Sequence, residues 1–450
     1  MIILFNLLIL IVCVVIFYNI KAGFLLALIL KILVPSVVRL QFGPINLAIN
    51  DVITIALSIS YVFHMNKIHA VMPSNLKKYF CIYICSIPIL IVCSTAFVPY
   101  SFQVSSFLKG FLFQMILFIV LGYYVLAVSN IRFVINVLCV ISIFAGLYGI
   151  FSYVVGNNVY VGSLNLLYGS EDVFAYFMDE ERGGLQGRTY GTMGHPLAWG
   201  QYWNLFISIV WFLKTYIKKY VFILVFIIGL VNIILCGSRT AIVTLGVFLI
   251  FVLLHYGWKR LLIILPSIYL GMILCLSIVP HTSKNAGIIQ YVESGIFFWD
   301  SSYSEKAGIA GSDKHMRERQ LVKSIEVMKK NPIGGIGYNY QYYVLQSNRF
   351  VTDGLFGLES IIFKLLVEQG IMGFIVFFYT YNLLFRFSTA LYRDKRKRML
   401  LYGYFASFLT SICFTGIQGA SYSYFMIFLF LILLNTNKND SKNNSLLLVK

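Results

Sequence analysis

The sequence predicts an all-α polytopic integral membrane protein, and three observations support this fold class. Of the 450 residues, 59% are hydrophobic and only 12% are charged, and the mean hydropathy is +0.83. A soluble domain could not bury that much apolar surface in one core. Apolar runs of about 20 residues, the length that crosses about 30 Å of hydrocarbon as a helix, recur along the whole chain. Because an open strand edge is not tolerated in lipid, we interpret each run as a helix.

The apolar runs predict about 12 or 13 transmembrane helices. The number depends on the first two runs, since only three residues, Asn19 to Lys21, separate them. The runs cover residues 2–19, 22–40, 45–65, 79–98, 107–127, 132–154, 195–213, 219–236, 240–256, 261–280, 358–385, 399–416 and 418–434.

The net charge of +18 is concentrated in short connectors between these runs. Lysine and arginine cluster at Lys214–Lys219, at Trp258–Arg260 and in the RDKRKR segment Arg393–Arg398. Because short cytoplasmic loops are enriched in basic residues, we place these connectors in the cytoplasm. The basic charge then reflects membrane topology, and we expect no nucleic-acid partner.

This orientation places two long segments on the external, periplasmic side. The predicted organisation is N-terminal transmembrane helices (1–154), a first external loop (155–194), central transmembrane helices (195–280), a second external loop with an amphipathic helix (281–357), C-terminal transmembrane helices (358–434) and a cytoplasmic tail (435–450). Loops of such length are usually functional or disordered.

The second external loop contains a predicted amphipathic helix from Asp313 to Pro332. Leu321, Ile325 and Met328 recur at helical spacing opposite Arg and Lys, which predicts an apolar face lying on the membrane or capping a cavity. The Asn331-Pro332 pair ends the helix. A glycine-rich turn rimmed by tyrosines follows it.

Three arginines near the predicted external helix ends are candidate ligands of a diphosphate: Arg188, Arg239 and Arg317. A guanidinium is always charged, and its planar fork matches phosphate oxygens two at a time. The alternative for a single external arginine is anchoring to lipid headgroups. Arg239 is the strongest candidate of the three, because it lies between two spans without an acidic neighbour in the sequence.

Glu359 and His195 are the candidate general bases. A carboxylate at a membrane helix is costly and indicates function, and apolar surroundings would make Glu359 a better base. Glu359 could instead pair with an external arginine, and His195 could be an interfacial histidine at a helix start. Glu368, deeper in the same span, has Lys364 four residues earlier as a candidate partner.

Several function classes are disfavoured by absent motifs. The sequence has no P-loop, no GxGxxG opening a helix, no HExxH and no paired aspartates at metal spacing. The eight cysteines lie in or at the ends of apolar runs without a CxxC pair, so we expect neither disulfides nor a metal site. A soluble nucleotide-sugar enzyme and an ATP-driven pump are therefore disfavoured.

Three sequence blocks, in order along one face, resemble the O-antigen ligase and polymerase (Wzy) superfamily across roughly residues 185–375. The blocks are RTYGTMGHP leading into a span (Arg188, Gly191, His195, Pro196), SRT at the start of a later span (Ser238, Arg239, Thr240), and a segment from Arg317 through Leu321 to Asn331, Pro332, Gly335 and Gly337, followed by ESIIFKLLVEQGIMG.

The resemblance implies a GT-C-type transferase in the bacterial cytoplasmic (inner) membrane. It would take a glycan from a polyprenyl diphosphate on the periplasmic face, with no cofactor and no metal. Arg239 and Arg317 match positions thought to hold the diphosphate, and Arg188 matches a first-loop arginine. Ligases of this superfamily carry His-Asn where this chain has Glu359-Ser360, which favours a repeat-unit polymerase.

The predicted function is therefore an inverting, metal-independent O-antigen or capsule polymerase that acts on undecaprenyl-diphosphate-linked repeat units. Tyr338 and Tyr340 are candidates to stack on sugar rings, although interfacial tyrosines are common at membranes. Membrane lipids and a chain-length regulator are further candidate partners. The alternatives are a ligase of the same superfamily and a lipid-linked oligosaccharide flippase or transporter, for which midplane charges and internal repeats would be expected.

Overall fold

The computed structural model describes residues 2–35, 38–42, 45–95, 97–168, 187–278, 314–346 and 358–440, together with residues 289, 290, 293, 302 and 303. Its helices are Ile2–Tyr18, Ile20–Leu33, Ile49–His64, Ser74–Cys93, Tyr100–Ser106, a π-helical segment Phe107–Leu117, Phe118–Ala127, Ile131–Val155, Val159–Tyr168, Pro196–Phe212, Lys219–Leu235, Arg239–Tyr256, Trp258–Ile278, Lys314–Lys330, Tyr340–Gln346, Ile361–Ala390, Lys395–Thr415 and Ser421–Asp440. The predicted all-α polytopic membrane fold is confirmed.

Five helices of the described residues are long and apolar enough to cross a membrane. They are Ser74–Cys93, Tyr100–Ala127, Ile131–Val155, Arg239–Tyr256 and Ile361–Ala390. Shorter apolar helices, such as Lys219–Leu235, accompany them. The chain is therefore a multi-pass membrane protein, while the number of 12 or 13 spans stays a prediction.

The interpretation of every apolar run as a helix was wrong in one place. Strands Arg39–Phe42 and Ile45–Ala48 form an antiparallel hairpin, with Arg39 opposite Ala48, where we predicted the end of one span and the start of the next. Pro35 and the Gly43-Pro44 pair disfavour a continuous helix in this segment. The two strands provide hydrogen-bond partners for some of each other's backbone N–H and C=O groups. Non-helical segments within a membrane protein require such partners.

The helix Pro196–Phe212 lies at the centre of the bundle, and nearly all of its side chains are buried. Its aromatic side chains Trp199, Tyr202, Trp203 and Phe206 pack against one another with ring centroids 5.6–6.1 Å apart. The amide of Asn232 accepts a hydrogen bond from the Trp199 indole (3.0 Å) and donates to the Gly146 carbonyl (3.1 Å). Such polar contacts between helices stabilise packing where lipid gives little hydrophobic driving force.

The predicted cytoplasmic connectors lie together at one end of three helices, Pro196–Phe212, Arg239–Tyr256 and Lys395–Thr415. The Lys214 ammonium donates to the Tyr256 hydroxyl at 2.7 Å, and the His255 Nδ1 lies 2.8 Å from the Arg396 carbonyl. We call this the basic end. The opposite end, where His195, Arg239 and the turn after Thr415 lie, is called the site end below.

The helix Ile361–Ala390 is interrupted at Gly370, whose φ of 63° and ψ of −164° are not helical. We call it the broken helix. This backbone conformation is essentially restricted to glycine. An interruption frees backbone N–H and C=O groups, which must find partners inside the protein.

The Asn331–Gly337 loop provides those partners. Three backbone hydrogen bonds join the loop to the interruption on both of its sides. They run from the Ile336 N–H to the Val367 carbonyl (2.9 Å), from the Gly337 N–H to the Glu368 carbonyl (3.2 Å), and from the Ile371 N–H to the Pro332 carbonyl (2.8 Å). The loop therefore completes the backbone of the broken helix.

The same loop also holds the end of the helix Ser74–Cys93. The Asn331 side-chain amide donates to the Cys93 carbonyl at 2.9 Å. Thr95 donates to the loop twice, from its N–H to the Gly335 carbonyl and from its hydroxyl to the Ile336 carbonyl. Three segments that are distant in sequence thus meet in one backbone junction, which we call the loop junction.

The predicted amphipathic helix exists as Lys314–Lys330, but the predicted apolar face was wrong. We call it the surface helix. Leu321 is 38% exposed, while Gln320, Ser324 and Val327 are buried. These positions share a helix face with Arg317. The helix turns this face towards the broken helix, so protein packing rather than a lipid surface determines its rotation.

The C-terminal helix Ser421–Asp440 continues beyond residue 435, where we predicted the start of a cytoplasmic tail. Residues 441–450, residues 169–186 of the first predicted external loop and most of residues 279–313 lie outside the described part of the chain. The predicted domain boundaries there stay predictions.

We expect Gly370→Ala to destabilise the protein by at least about 1–3 kcal/mol, because an L-residue is strained at this φ and ψ. A Cβ at this position would also lie 2.5 Å from the Pro332 carbonyl oxygen. The measurement is the midpoint of thermal unfolding of the purified protein in detergent.

Gly246→Ala is the matched control, because Gly246 lies inside the helix Arg239–Tyr256 and an added Cβ would meet no atom within 4 Å. Its midpoint should stay equal or rise slightly, since alanine favours a helix. Equal midpoints for the two variants would contradict the role assigned to Gly370.

Candidate functional site

The segment Gly187–His195 enters the site end as a buried, hydrogen-bonded turn. The Thr189 N–H donates to the Leu235 carbonyl at 3.0 Å, and the Thr192 hydroxyl donates to the Ile32 carbonyl at 2.7 Å. Gly191 has φ of +50°, and a Cβ there would lie 2.5 Å from the Trp199 ring. The glycines of this segment therefore allow the close approach that buries it.

Arg188 is buried, with only 3% of its surface exposed. Its Nε donates to the Cys236 carbonyl at 3.0 Å, and its side chain lies against the Cα of Gly237. Arg188 thus contacts the turn that immediately precedes Ser238 and Arg239. Its clearest geometric role is to position that turn.

Arg239 is the first residue of the helix Arg239–Tyr256, and its side chain is half-buried. Ser238 is the N-cap, and its hydroxyl accepts a hydrogen bond from the Ala241 N–H. The N-terminus of a helix carries partial positive charge, which favours a bound anion. A guanidinium at this position adds a full charge to the same place.

His195 is the N-cap of the central helix Pro196–Phe212. Its Nδ1 accepts a hydrogen bond from the Leu197 N–H at 3.1 Å. A neutral imidazole that accepts at Nδ1 carries its proton on Nε2, so neither nitrogen is then a vacant base. The geometry therefore favours a structural role for His195 over proton abstraction.

Gln201 joins the central helix to the start of the broken helix through the turn that follows Thr415. Its side-chain amide donates to the Gly416 carbonyl at 2.7 Å and to the Thr415 hydroxyl at 3.1 Å. A Cβ on Gly416 would collide with the Glu359 carbonyl, so the two backbones are in contact. These contacts connect Glu359 with the helix that His195 caps.

Glu359 and Arg317 form an ion pair, with Arg317 Nη2 2.6 Å from Glu359 Oε2. The Glu359 side chain is 36% exposed and the Arg317 side chain is 24% exposed. The second arm of Arg317 lies 3.4 Å from the Gln320 side-chain oxygen. Of the alternatives that the sequence left open for Glu359, the structure shows the pairing with an arginine.

Glu368 is almost fully buried, at 1% exposure. Its carboxylate accepts hydrogen bonds from the backbone N–H groups of Asn339 (3.2 Å) and Gln341 (3.3 Å). These bonds fasten the residues after the Asn331–Gly337 loop to the broken helix. The position of the carboxylate indicates a structural role, and its link to Lys364 is electrostatic rather than a close contact.

The two candidate sugar-stacking tyrosines occupy different environments. Tyr340 is only 3% exposed and packs against Phe97, with ring centroids 5.7 Å apart, so its ring is not displayed to a ligand. Tyr338 is partly exposed and lines a cavity. Burial and then the Glu368 carboxylate raise the pKa of the Tyr338 phenol, which therefore stays a neutral hydrogen-bond donor. Tyr342, at 41% exposure, is the more accessible ring.

Sequence reasoning missed the polar residues that hold the site together. Gln201 lies within an apolar run and Gln103 lies between two runs, and neither gave a motif, yet both are buried and hydrogen-bonded between elements. An uncharged amide in an apolar run is the available signal, because burying it without partners is costly.

Taken together, the site end carries a half-buried arginine at a helix N-terminus and an arginine paired with a carboxylate. A series of contacts connects the two groups. Near Arg239, Cys236 and Ala241 lie close to Gly200 of the central helix. The next residue, Gln201, donates to the Gly416 carbonyl, and Gly416 contacts the Glu359 backbone. Such an arrangement can bind an anion at the guanidinium groups and accept a proton at the carboxylate.

Comparison with known proteins identifies a family for part of the chain. No curated protein and no solved structure matches the chain. A family model described as O-antigen ligase matches residues 224–378, a range that contains Arg239, Arg317 and Glu359 but neither Arg188 nor His195. Over residues 224–378 the chain is therefore similar to the O-antigen ligase/polymerase superfamily.

Proposed function

We propose that the protein is a repeat-unit polymerase of bacterial surface polysaccharide. It transfers a glycan from a polyprenyl diphosphate to a second lipid-linked repeat unit on the outer face of the cytoplasmic membrane. The observation that carries this proposal is the Arg317–Glu359 ion pair within the segment that matches the family. It supplies a cation for the diphosphate and a carboxylate for the acceptor in one place.

Arg239 and Arg317 are the proposed ligands of the diphosphate. Arg239 adds its charge to that of a helix N-terminus, and Arg317 offers a fork whose second arm makes only a long contact to Gln320. Arg188, which contacts the turn before Arg239, is proposed to position that arginine rather than to touch the substrate first.

Glu359 is the proposed general base. In the structure its charge is neutralised by Arg317. A diphosphate that competes for the guanidinium would weaken this pair and leave the carboxylate able to accept a proton. Donor binding would therefore prepare the base, and without donor the two charges stabilise each other.

The proposed reaction is a single displacement. The acceptor hydroxyl oxygen forms a bond to the anomeric carbon while the bond from that carbon to the diphosphate oxygen breaks. The electron pair of the broken bond stays on the polyprenyl diphosphate, where Arg239 and Arg317 stabilise the charge. The hydroxyl proton passes to the Glu359 carboxylate, and the anomeric configuration is inverted.

The choice of polymerase over ligase rests on the residue pair Glu359-Ser360. Ser360 caps the broken helix through a hydrogen bond from the Ile362 N–H to its hydroxyl (3.2 Å), and Glu359 is the carboxylate of the pair. The superfamily's ligases carry His-Asn at this place. A ligase remains the alternative, and it differs in the acceptor it uses.

A test in the host separates these functions. Deletion of the gene should leave a single repeat unit on its anchor, seen on a gel of surface glycan. Complementation with Arg239→Ala, Arg317→Ala or Glu359→Ala should not restore the ladder, since loss of one charge-stabilising donor costs on the order of a hundredfold in rate.

Arg319→Ala is the matched control, because Arg319 is an exposed residue of the same surface helix as Arg317. It should restore the full ladder. Complete loss of anchored glycan in the deletion strain would instead identify a ligase or a flippase. Full ladders from all three alanine variants would refute the proposed site.

A charge exchange tests whether the ion pair is catalytic or only structural. The double variant Arg317→Glu, Glu359→Arg keeps a carboxylate opposite a guanidinium, so it should reach the membrane in normal amounts. We expect no ladder from it, because the phosphate ligand and the base would have exchanged places. A restored ladder would show that the pair serves only to hold the surface helix.

A further inference from the structure

A polar cavity lies between the first part of the broken helix, the π-helical segment Phe107–Leu117 and the turn around Gly419. It consists of three chambers of about 350, 760 and 480 Å³, and Gly110 and Gly419 line all three. Each chamber falls in the size range of small-molecule sites. Because Lys31, Lys109 and Lys364 all line it, we call it the lysine-lined cavity.

The cavity is distinct from the Arg317–Glu359 pair but close to it in the fold. Ile361 and Lys364, in the first turn of the broken helix after Glu359, line its first chamber. Gly416, whose backbone contacts Glu359, begins the turn whose residues Ile417 and Gly419 also line the cavity. A substrate bound between Arg317 and Glu359 therefore has this cavity as a neighbouring space.

The lysines bring positive charge into the cavity. The Lys31 ammonium lies 4.3 Å from the centroid of the Phe118 ring, and the Lys109 ammonium lies 3.6 Å from an Asp51 oxygen. Among the described residues, Lys364 has no acidic side chain within ion-pair distance. Its ammonium is therefore the group best placed to bind an added anion.

The two carboxylates near the cavity are already engaged by neighbouring groups. Asp51 accepts hydrogen bonds from the Ala48 N–H (3.2 Å) and the Gln114 amide (2.5 Å). Glu368 accepts two backbone N–H groups. Since both are buried and hydrogen-bonded, they balance part of the lysine charge without offering a competing site for a cation.

The remaining lining suits a sugar. The Tyr342 ring packs on Phe102, with centroids 6.2 Å apart, and its exposed part provides aromatic surface for the apolar face of a pyranose. Asn339 and Gln341 line the same chamber. The π-helical segment places Gly110 at the wall, where an added Cβ would meet no atom within 4 Å. The wall is therefore open at this point to a bulky ligand.

We propose that the lysine-lined cavity binds the saccharide of a lipid-linked substrate through an anionic group on that saccharide, a carboxylate or a phosphate ester. This inference rests on the proposed function for the identity of the substrate. The cavity would then select acidic repeat units over neutral ones. Lys364 would be the main contact, and Lys31 and Lys109 would contribute positive electrostatic potential.

The test is calorimetric binding to the purified full-length protein. The probes are tetragalacturonate, which carries carboxylates, mannose 6-phosphate, which carries a phosphate ester, and neutral maltotetraose. At least one anionic probe should bind more tightly than maltotetraose. The affinities of the two anionic probes show whether a carboxylate or a phosphate ester is preferred. Lys364→Ala should weaken that binding about tenfold, as loss of one charge-assisted hydrogen bond predicts.

Gly110→Phe should abolish binding by filling the cavity, whereas Gly246→Phe should leave it unchanged, because Gly246 is equally unhindered but does not line the cavity. Lys364→Arg, which keeps the charge, should largely preserve binding. Equal affinity for neutral and anionic probes, no binding of either anionic probe, or affinity unaffected by Lys364→Ala and Gly110→Phe would overturn the proposal.

The outcome is separable from that of the proposed function. Arg317→Ala and Glu359→Ala leave the cavity lining intact, so these variants should bind the anionic probe with wild-type affinity. Binding with these properties would uphold the cavity even if the host experiment identified a different reaction. If the Arg317→Ala and Glu359→Ala variants lose the ladder in the host but the purified protein binds neither anionic probe, only the cavity proposal is overturned.

Discussion

The organisation of the site depends on the need to pair backbone groups at the interruption of the broken helix. Gly370 stops the helical hydrogen-bond pattern, and the Asn331–Gly337 loop replaces the missing partners. In a membrane environment no water is available to do so. The loop must therefore be present, and because the surface helix ends at its first residues, the loop also determines where that helix lies. The Arg317–Glu359 contact is a consequence of this arrangement.

The chain places few charges in a large apolar bundle, and most of those at the site end have a defined partner. Arg188 contacts the Cys236 carbonyl, Arg317 contacts Glu359, and Glu368 contacts two backbone N–H groups. Burying a charge without partners is costly, so these contacts fix the side chains before any substrate arrives. An enzyme that stabilises a leaving diphosphate benefits from such fixed positions, because little reorganisation is then needed during the reaction.

Hydropathy and residue order were sufficient to predict the membrane fold, the surface helix and the superfamily. They were insufficient where three-dimensional packing decided the result. The rotation of the surface helix could not be predicted, because Gln320 and Ser324 face protein and not lipid. The hairpin strands Arg39–Phe42 and Ile45–Ala48 lie between two apolar helices, so a hydropathy window merges them with those helices. The lysine-lined cavity combines residues from three distant parts of the chain, and each lysine alone gave no motif. Tyr340 resembles Tyr342 in sequence but is buried, which only the fold decides.

The loop junction joins Cys93–Thr95, Asn331–Gly337 and Val367–Ile371 mostly through main-chain groups, and the Asn331 amide and the Thr95 hydroxyl are its side-chain donors. Such contacts place few demands on side-chain identity but strict demands on chain length and on the glycines that allow close approach. Insertions and deletions at any of these three places should therefore be eliminated by selection, while neighbouring side chains diverge freely. In this part of the molecule, we therefore expect selection to act more strictly on chain spacing than on side-chain chemistry.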